Sequence, residues 1–281
     1  MTERYFSPMP VFDPEEIEQR IQKQSIPLKT LSSELLLAEA NSFKDILMKD
    51  PEWVKYYQGI IADKWLEHFL SVYFLKPKKG EIMVDAASHW SPFSKIVRKI
   101  SDVKVYMQDM CFEAGIHGDL IGSDCTHIPL ADDSVDLISV NNSIEHFEEN
   151  RDALFLKEAY RLLKPGGRMC IVPLFISTVV VNMADPELDL SAVNFDPEAV
   201  LVSAQPWKIT FARYYTPETF LERLMKAVPQ FDYEIIRIRD MNRFDPSLGY
   251  WQFVACMRKP GVPRKRAGIL KQLKTRILKR P

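Results

Sequence analysis

The sequence predicts a doubly wound α/β protein whose mostly parallel sheet is centred on residues 80–172. Short apolar runs alternate there with amphipathic helical patterns, as parallel strands alternate with their crossover helices. The chain has 281 residues and is 46% hydrophobic, which is enough for one sizeable core with an appended element. It contains no apolar run of about 18 residues, so the sequence predicts no membrane-spanning helix.

The chain divides into three segments by pattern. Residues 1–79 carry helical signals without strand signals and are predicted to form an N-terminal helical cap. Residues 80–257 hold the sheet, and the irregular stretch 174–215 reads as an insertion on the substrate side. Residues 258–281 form a basic tail.

The strands of the sheet are read from short apolar runs that end at turn signals or acidic residues. They are predicted at residues 81–85, 103–107, 135–140 and 168–173, followed by an antiparallel pair at 233–238 and 250–257. Helices are predicted from Ser91-Pro92, from Arg151 and from Thr216-Pro217, where caps or proline favour a first turn. The insertion follows the strand at 168–173.

The basic tail gives the chain a marked charge asymmetry. Residues 258–281 hold ten Lys and Arg and no Asp or Glu, whereas the rest has 27 basic and 38 acidic residues. Apolar residues in the tail share one helical face, which predicts either peripheral contact with an anionic membrane or a solvated end. Nucleic-acid binding is not predicted, because the body is acidic and lacks a recognition motif.

The cysteines and histidines give no sign of a metal site. Cys111, Cys125, Cys170 and Cys256 are scattered, without the close pairing of a zinc or redox site. We therefore expect a reduced, cytoplasmic protein without a bound metal.

Acidic residues mark the ends of successive strands. Asp85 ends the first strand, Asp109 follows the second, and Asp124 precedes the third. Ligands of open α/β sheets bind at the carboxyl ends of the strands, and a carboxylate in the position of Asp109 suits the two hydroxyls of a ribose. The Gly-x-Gly-x-x-Gly of nicotinamide enzymes is missing after the first strand.

Two later segments carry a family resemblance, namely 133–147, with Asp136-Leu137-Ile138 and Glu145-His146, and 158–167, which ends in Leu163-Lys164-Pro165-Gly166-Gly167. Together they resemble the class I, Rossmann-like S-adenosylmethionine-dependent methyltransferases of the small-molecule and glycan "type 11-like" group. The resemblance covers residues 81–173 and implies a bound S-adenosylmethionine whose methyl group is transferred. It implies cofactor contacts at Asp85, Ala86, Ala87, Ser88, Asp109, Met110, Asp124, Cys125 and Asn141.

The first loop departs from this family. Ala87, His89 and Ser91 stand where the family usually carries glycines. A positive φ is unfavourable for residues other than glycine, so His89 predicts a redrawn loop that still binds the cofactor. The alternative is a non-catalytic regulatory or binding protein that keeps the fold with a degenerate cofactor loop.

Candidates for the chemistry lie after the third strand and in the insertion. His146 is the candidate general base, or else a histidine that stabilises its own loop. Arg213, Tyr214 and Tyr215 are candidate acceptor contacts, and they could equally be packing residues. Trp90 and Trp207 could stack on a sugar ring or be buried. The predicted reaction is O-methylation of a small-molecule, glycan or lipid-linked saccharide acceptor.

Overall fold

The protein, described here by a computed structural model for residues 5–59, 64–244 and 251–261, is built on an eight-stranded sheet. The strands of the sheet are β1 (Leu28–Ser32), β2 (Ile82–Ala86), β3 (Lys104–His117), β4 (Leu120–Gly122), β5 (Val135–Asn141), β6 (Leu163–Val172), β10 (Asp232–Arg239) and β11 (Phe253–Arg258). Their order is β1-β10-β11-β6-β5-β2-β3-β4. Neighbouring strands in this order are parallel, except that β11 is antiparallel to both β10 and β6. The predicted mostly parallel, doubly wound sheet is confirmed.

Seven helices flank the sheet in the described residues, and four short 3-10 turns join them. The helices are α1 (Pro14–Lys23), α2 (Leu37–Leu47), α3 (Pro51–Gly59), α4 (Lys64–Leu75), α5 (Phe93–Ser101), α6 (Arg151–Leu162) and α7 (Pro217–Thr219), the last continued by a π-helical segment over Phe220–Met225. The 3-10 turns are Ser33–Leu35, Ile144–His146, Gln205–Trp207 and Met241–Arg243. None of the described helices is long and apolar enough to cross a bilayer.

The two faces of the sheet carry separate cores. Side chains alternate between the faces of a strand, so Met83 of β2 and Val84 beside it enter different clusters. Helices α2, α3, α4 and α5 pack on the face of Met83, whereas α1, α6 and α7 pack on the face of Val84.

The N-terminal segment is not purely helical, so that expectation is wrong. Residues Leu28–Ser32 form β1, which pairs in parallel with β10 at the edge of the sheet. Its partner lies some 200 residues away in sequence, and a five-residue edge strand is specified by that long-range pairing more than by a local pattern. The N-terminal segment thus contributes a strand to the main sheet.

The insertion also has regular structure. Strands β7 (Val181–Ala184), β8 (Val200–Ser203) and β9 (Ala212–Tyr214) form a second sheet of order β8-β7-β9. Strand β7 pairs in parallel with β8 and antiparallel with β9. The basic tail beyond residue 261 lies outside the described residues.

The connection from β3 to β4 has no helix. Parallel neighbours are usually joined by a helical crossover of a dozen or more residues. Here Met107–Asp109 pairs in parallel with β4, and the chain then returns through Ile116 and His117, which pair with the other edge of β4. Every residue of 104–134 is described, and none of them is helical. This end of the sheet therefore lacks a covering helix on its α5 face.

Candidate functional site

The candidate site is a cavity of about 140 Å³ at the carboxyl ends of β2 and β5. This is the place where open α/β sheets bind ligands. The loops after the two strands and helices α3 and α4 enclose it. Its lining residues are Tyr56, Lys64, His68, Asp85, Ala87, Ser88, His89, Ser91, Asn141, Asn142 and Ser143.

The loop after β2 keeps a backbone that suits glycine. Ala87 has φ +50° and His89 has φ +47°, both in the left-handed region. The loop is held by hydrogen bonds from the Ala87 amide to Gln108 Oε1 (3.2 Å) and from Ser143 Oγ to the Ala87 carbonyl (3.0 Å). His89 adopts the left-handed conformation that is unfavourable for a residue with a side chain, and its amide is held by Asp109 Oδ2 at 2.8 Å. Each such residue costs about 1 kcal/mol or more.

Asp85 is buried at the floor of the cavity with one oxygen unsatisfied. Its Oδ1 accepts hydrogen bonds from Ser139 Oγ (2.7 Å) and Asn141 Nδ2 (3.3 Å), whereas no described group reaches Oδ2. Burial raises the pKa of the Asp85 carboxyl to about 7, although the bonds from Ser139 and Asn141 act in the opposite direction. A buried carboxylate with a free oxygen suits a ligand cation or hydrogen-bond donor.

Asp109 is tied to the same loop. Its Oδ2 accepts a hydrogen bond from the His89 amide (2.8 Å), and its Oδ1 accepts one from the Cys111 amide (2.9 Å). Each carboxylate oxygen can accept a further bond, as a ribose diol would require. Met110 beside it is 78% exposed, whereas Ala86 is buried in the core and offers only its backbone.

Asp124 and Cys125 lie away from the cavity lining. The Asp124 carboxylate accepts from the amide and hydroxyl of Thr126 (both 2.9 Å) and is paired with Arg151. These bonds hold the pKa of Asp124 below its usual value despite partial burial. Burial raises the pKa of the Cys125 thiol to about 12, so it is a neutral thiol. The Asp124 carbonyl accepts a hydrogen bond from the His127 amide at 3.0 Å.

His146 lies beyond the cavity lining, on the 3-10 turn after β5. Its Nδ1 is 2.7 Å from the Phe211 carbonyl oxygen, which can only accept, so Nδ1 carries the proton. Its Nε2 lies 3.7 Å from Oε1 of Glu145, a buried carboxylate whose Oε2 has no described partner. Burial raises the pKa of Glu145, while His146 lowers it.

Arg213, Tyr214 and Tyr215 are buried packing residues, contrary to the prediction of acceptor contacts. Arg213 is 1% exposed, and its guanidinium is bonded to Asp196 (2.6 Å) and to Asp152 (2.9 Å). The Tyr215 hydroxyl donates to Asp152 (2.9 Å). Tyr214 is stacked on Phe175, with ring centroids 4.8 Å apart. A buried charge needs such partners, and here they come from the protein itself.

Helices α3 and α4 add residues that the sequence pattern did not single out. Lys64 donates to Glu67 (2.8 Å), and His68 lies between the Tyr57 hydroxyl (2.5 Å) and Ser91 Oγ (3.4 Å). Burial lowers the pKa of His68 well below its usual value, so the ring is neutral. The sequence feature that could have identified them is the set of polar residues in the otherwise apolar helix α4. Within the described ranges no three His, Cys, Asp or Glu side chains converge as a metal site would require.

Residues 85–171 match the family model described as a methyltransferase domain. No curated protein sequence matches the chain. The chain is similar in fold to the Burkholderia thailandensis 1,6-didemethyltoxoflavin-N1-methyltransferase, crystallised with 1,6-didemethyltoxoflavin and S-adenosylhomocysteine (12% identity, 90% of this chain, 93% of that chain, TM-score 0.44).

Two further solved structures are similar in fold. One is a SAM-dependent methyltransferase of Methanosarcina mazei (14% identity, 69% of this chain, 98% of that chain, TM-score 0.41). The other is Haemonchus contortus phosphoethanolamine N-methyltransferase 2 with phosphomonomethylethanolamine and S-adenosylhomocysteine (12% identity, 70% of this chain, 53% of that chain, TM-score 0.43). At these identities the likeness concerns the fold alone.

The residues of the site fit the cofactor of such a domain. S-adenosylmethionine has an ammonium group, which suits the unsatisfied oxygen of buried Asp85, and a ribose diol, which suits Asp109. The loop between them retains the left-handed backbone at Ala87 and His89. The protein is a methyltransferase built on the class I, Rossmann-like fold, and its cofactor is S-adenosylmethionine.

Proposed function

We propose that the protein transfers the methyl group to a hydroxyl oxygen of a small-molecule or glycan-type acceptor. The observation that carries this proposal is the hydrogen bond from His146 Nδ1 to the Phe211 carbonyl at 2.7 Å, which fixes the tautomer of the neutral ring. The neutral ring then has a lone pair on Nε2. A hydroxyl acceptor must lose its proton during methyl transfer. The Nε2 lone pair would accept it from the turn that follows the cavity residues Asn142 and Ser143.

The cofactor would be held along the carboxyl ends of β2, β3 and β4. Asp85 would bind its ammonium group, Asp109 its ribose hydroxyls, and the backbone at Asp124 and Cys125 its adenine edge. Asn141 and Ser88 line the same cavity and would complete the amino-acid end. When bound, the cofactor would supply a methyl group carried on a sulfonium, and the neutral thioether left after the transfer is a good leaving group.

Glu145 supports the role proposed for His146. Its buried carboxylate lies 3.7 Å from Nε2, so a proton taken up by the ring would be stabilised by the neighbouring negative charge. The backbone bond to Phe211 fixes the orientation of the ring in the neutral and protonated states alike. His146 therefore accepts a proton without a change of position.

The test is the methyl transfer rate of His146→Gln against His117→Gln. His117 is an exposed histidine whose ring also bonds a backbone carbonyl, that of Ala114 at 3.0 Å, so it is a matched control. We expect kcat to fall by roughly 10²–10⁴-fold in His146→Gln and to be unchanged in His117→Gln. Unchanged kcat in both variants would remove His146 from the reaction.

The charge of the basic tail supports a lipid-linked form of the acceptor. Its ten Lys and Arg would hold the protein at an anionic membrane surface, where such an acceptor is embedded. Removal of residues 262–281, which hold eight of these ten, should abolish sedimentation with phosphatidylglycerol vesicles. Equal sedimentation of the full and shortened chains would contradict a membrane-bound acceptor.

A further inference from the structure

A second cavity, of about 450 Å³, opens beside the cofactor cavity on the α5 face of the sheet. It exists because the β3–β4 connection supplies no helix to cover this end of the sheet. Helices α3 and α5 form its sides, and Met107 and Leu120 form its floor. Its volume falls in the range of about 300–1,000 Å³ that is typical of small-molecule sites.

Three aromatic side chains line this second cavity. Trp53 is almost fully buried, Tyr56 is half-buried, and Trp90 is 62% exposed. Phe112 holds the Trp90 ring at a centroid distance of 4.8 Å and an angle of 70°. Phe112 thus holds the Trp90 ring in place while most of its surface stays exposed. This exposure excludes the alternative prediction that Trp90 is buried. A fixed, exposed ring is a platform for a flat apolar face of a ligand.

The charges around the second cavity are balanced. Arg98 and Asp119 pair with each other at 2.9 Å, which leaves Glu52 and Lys95 as a separate acceptor and donor. In the described part of the chain neither Glu52 nor Lys95 forms an ion pair. A phosphate-rich ligand would need an excess of cations, and a hydrocarbon ligand would leave both groups without partners.

The second cavity adjoins the first. Tyr56 and Ser91 line both cavities. A ligand in the second cavity would reach the amino-acid end of the cofactor past these two side chains. The two cavities therefore have the relation expected of a cofactor site and an adjoining acceptor site.

We propose that the second cavity is the acceptor site and that it binds a saccharide unit. A pyranose ring has an apolar C–H face that would lie on Trp90, and hydroxyl groups that would bond Glu52 and Lys95. The proposal rests on the proposed methyl transfer to a hydroxyl. It goes beyond that transfer by assigning the acceptor class and the residues that select it.

The test measures label transfer from tritiated S-adenosylmethionine to an array of immobilised neutral saccharides. The variants are Trp90→Ala and Lys95→Ala. Their matched controls are Trp90→Phe, which keeps an aromatic ring at the same place, and Lys157→Ala, an exposed lysine of α6. Calorimetry with S-adenosylmethionine alone is run first on every protein.

We expect the wild-type protein and both controls to label saccharides. Trp90→Ala should raise KM for the labelled saccharide about tenfold or more, as loss of an aromatic platform does, with cofactor affinity within about twofold of wild type. The proposal would be overturned by label confined to peptide, amine or lipid arrays, or by no label on any array despite cofactor binding. An equal loss in Trp90→Ala and Trp90→Phe would overturn it as well. Absence of cofactor binding in the wild type would instead overturn the proposed function, and the acceptor site with it.

Discussion

Substitution of Arg213 by methionine should destabilise the fold and leave acceptor recognition intact. The side chain is 1% exposed and donates to Asp196, to Asp152 and to the carbonyls of Phe147 (2.8 Å) and Glu149 (3.2 Å). Asp152 is fully buried, and Asp196 is 10% exposed. Removal of the cation therefore leaves two buried carboxylates short of a partner, which costs about 3–5 kcal/mol.

Guanidinium denaturation followed by circular dichroism measures this loss. At roughly 2–4 °C per kcal/mol, we also expect Tm to fall by about 10 °C. Arg239→Met is the control, because Arg239 is 52% exposed and its pair with Glu18 should be worth at most about 1 kcal/mol. An Arg213→Met protein of normal stability with a raised KM for the acceptor would refute the packing role and restore the acceptor contact predicted from sequence.

Three other perturbations follow from the described contacts. Burial raises the pKa of Asp85 to about 7, so the folded protein holds a proton there that the unfolded chain releases near pH 4. The free energy of unfolding should therefore fall as the pH rises from about 4 to 7, and Asp85→Asn should flatten that fall in pH-dependent denaturation. His89→Gly should raise the free energy of unfolding by roughly 1 kcal/mol, because φ is +47°; a decrease would show that the left-handed backbone is not strained. A Cβ at Gly122 would overlap the Glu113 carbonyl, so Gly122→Ala should lower the free energy of unfolding by about 3 kcal/mol in chemical denaturation. Gly118→Ala meets open space and should lower it by about 1 kcal/mol, through its φ of +67° alone; equal losses would contradict the tight β3–β4 packing.

The sheet was predictable because its strands are marked locally. The runs ending at Asp85 and Asn141 are buried on both faces, so they read as continuous apolar segments between turn signals. Strand β1 was not predictable in the same way, because its pairing with β10 joins the two ends of the chain. The small sheet of the insertion was missed for a related reason, since β7, β8 and β9 have only three or four residues each.

The site was predictable only where a strand end fixes a residue. Asp85 and Asn141 line the cavity because they lie at the carboxyl ends of β2 and β5, and Ala87 and Ser88 because they follow β2. His68 reaches it from α4, and no local pattern states which face of a helix covers a cavity. The role of Arg213 was misread because a sequence shows a charge but not the buried carboxylates, 17 and 61 residues away, that neutralise it.

Calorimetric titration of the wild type and Asp109→Ala with S-adenosylmethionine is the most direct test of the cofactor site. Asp102→Ala is the control, since Asp102 is 74% exposed and pairs with Lys79 at the surface. We predict a roughly micromolar Kd for the wild type and the control, weakened about tenfold or more in Asp109→Ala by loss of charge-assisted bonds to the ribose. No binding by the wild type at millimolar cofactor, or equal binding by Asp109→Ala, would contradict the cofactor site described here.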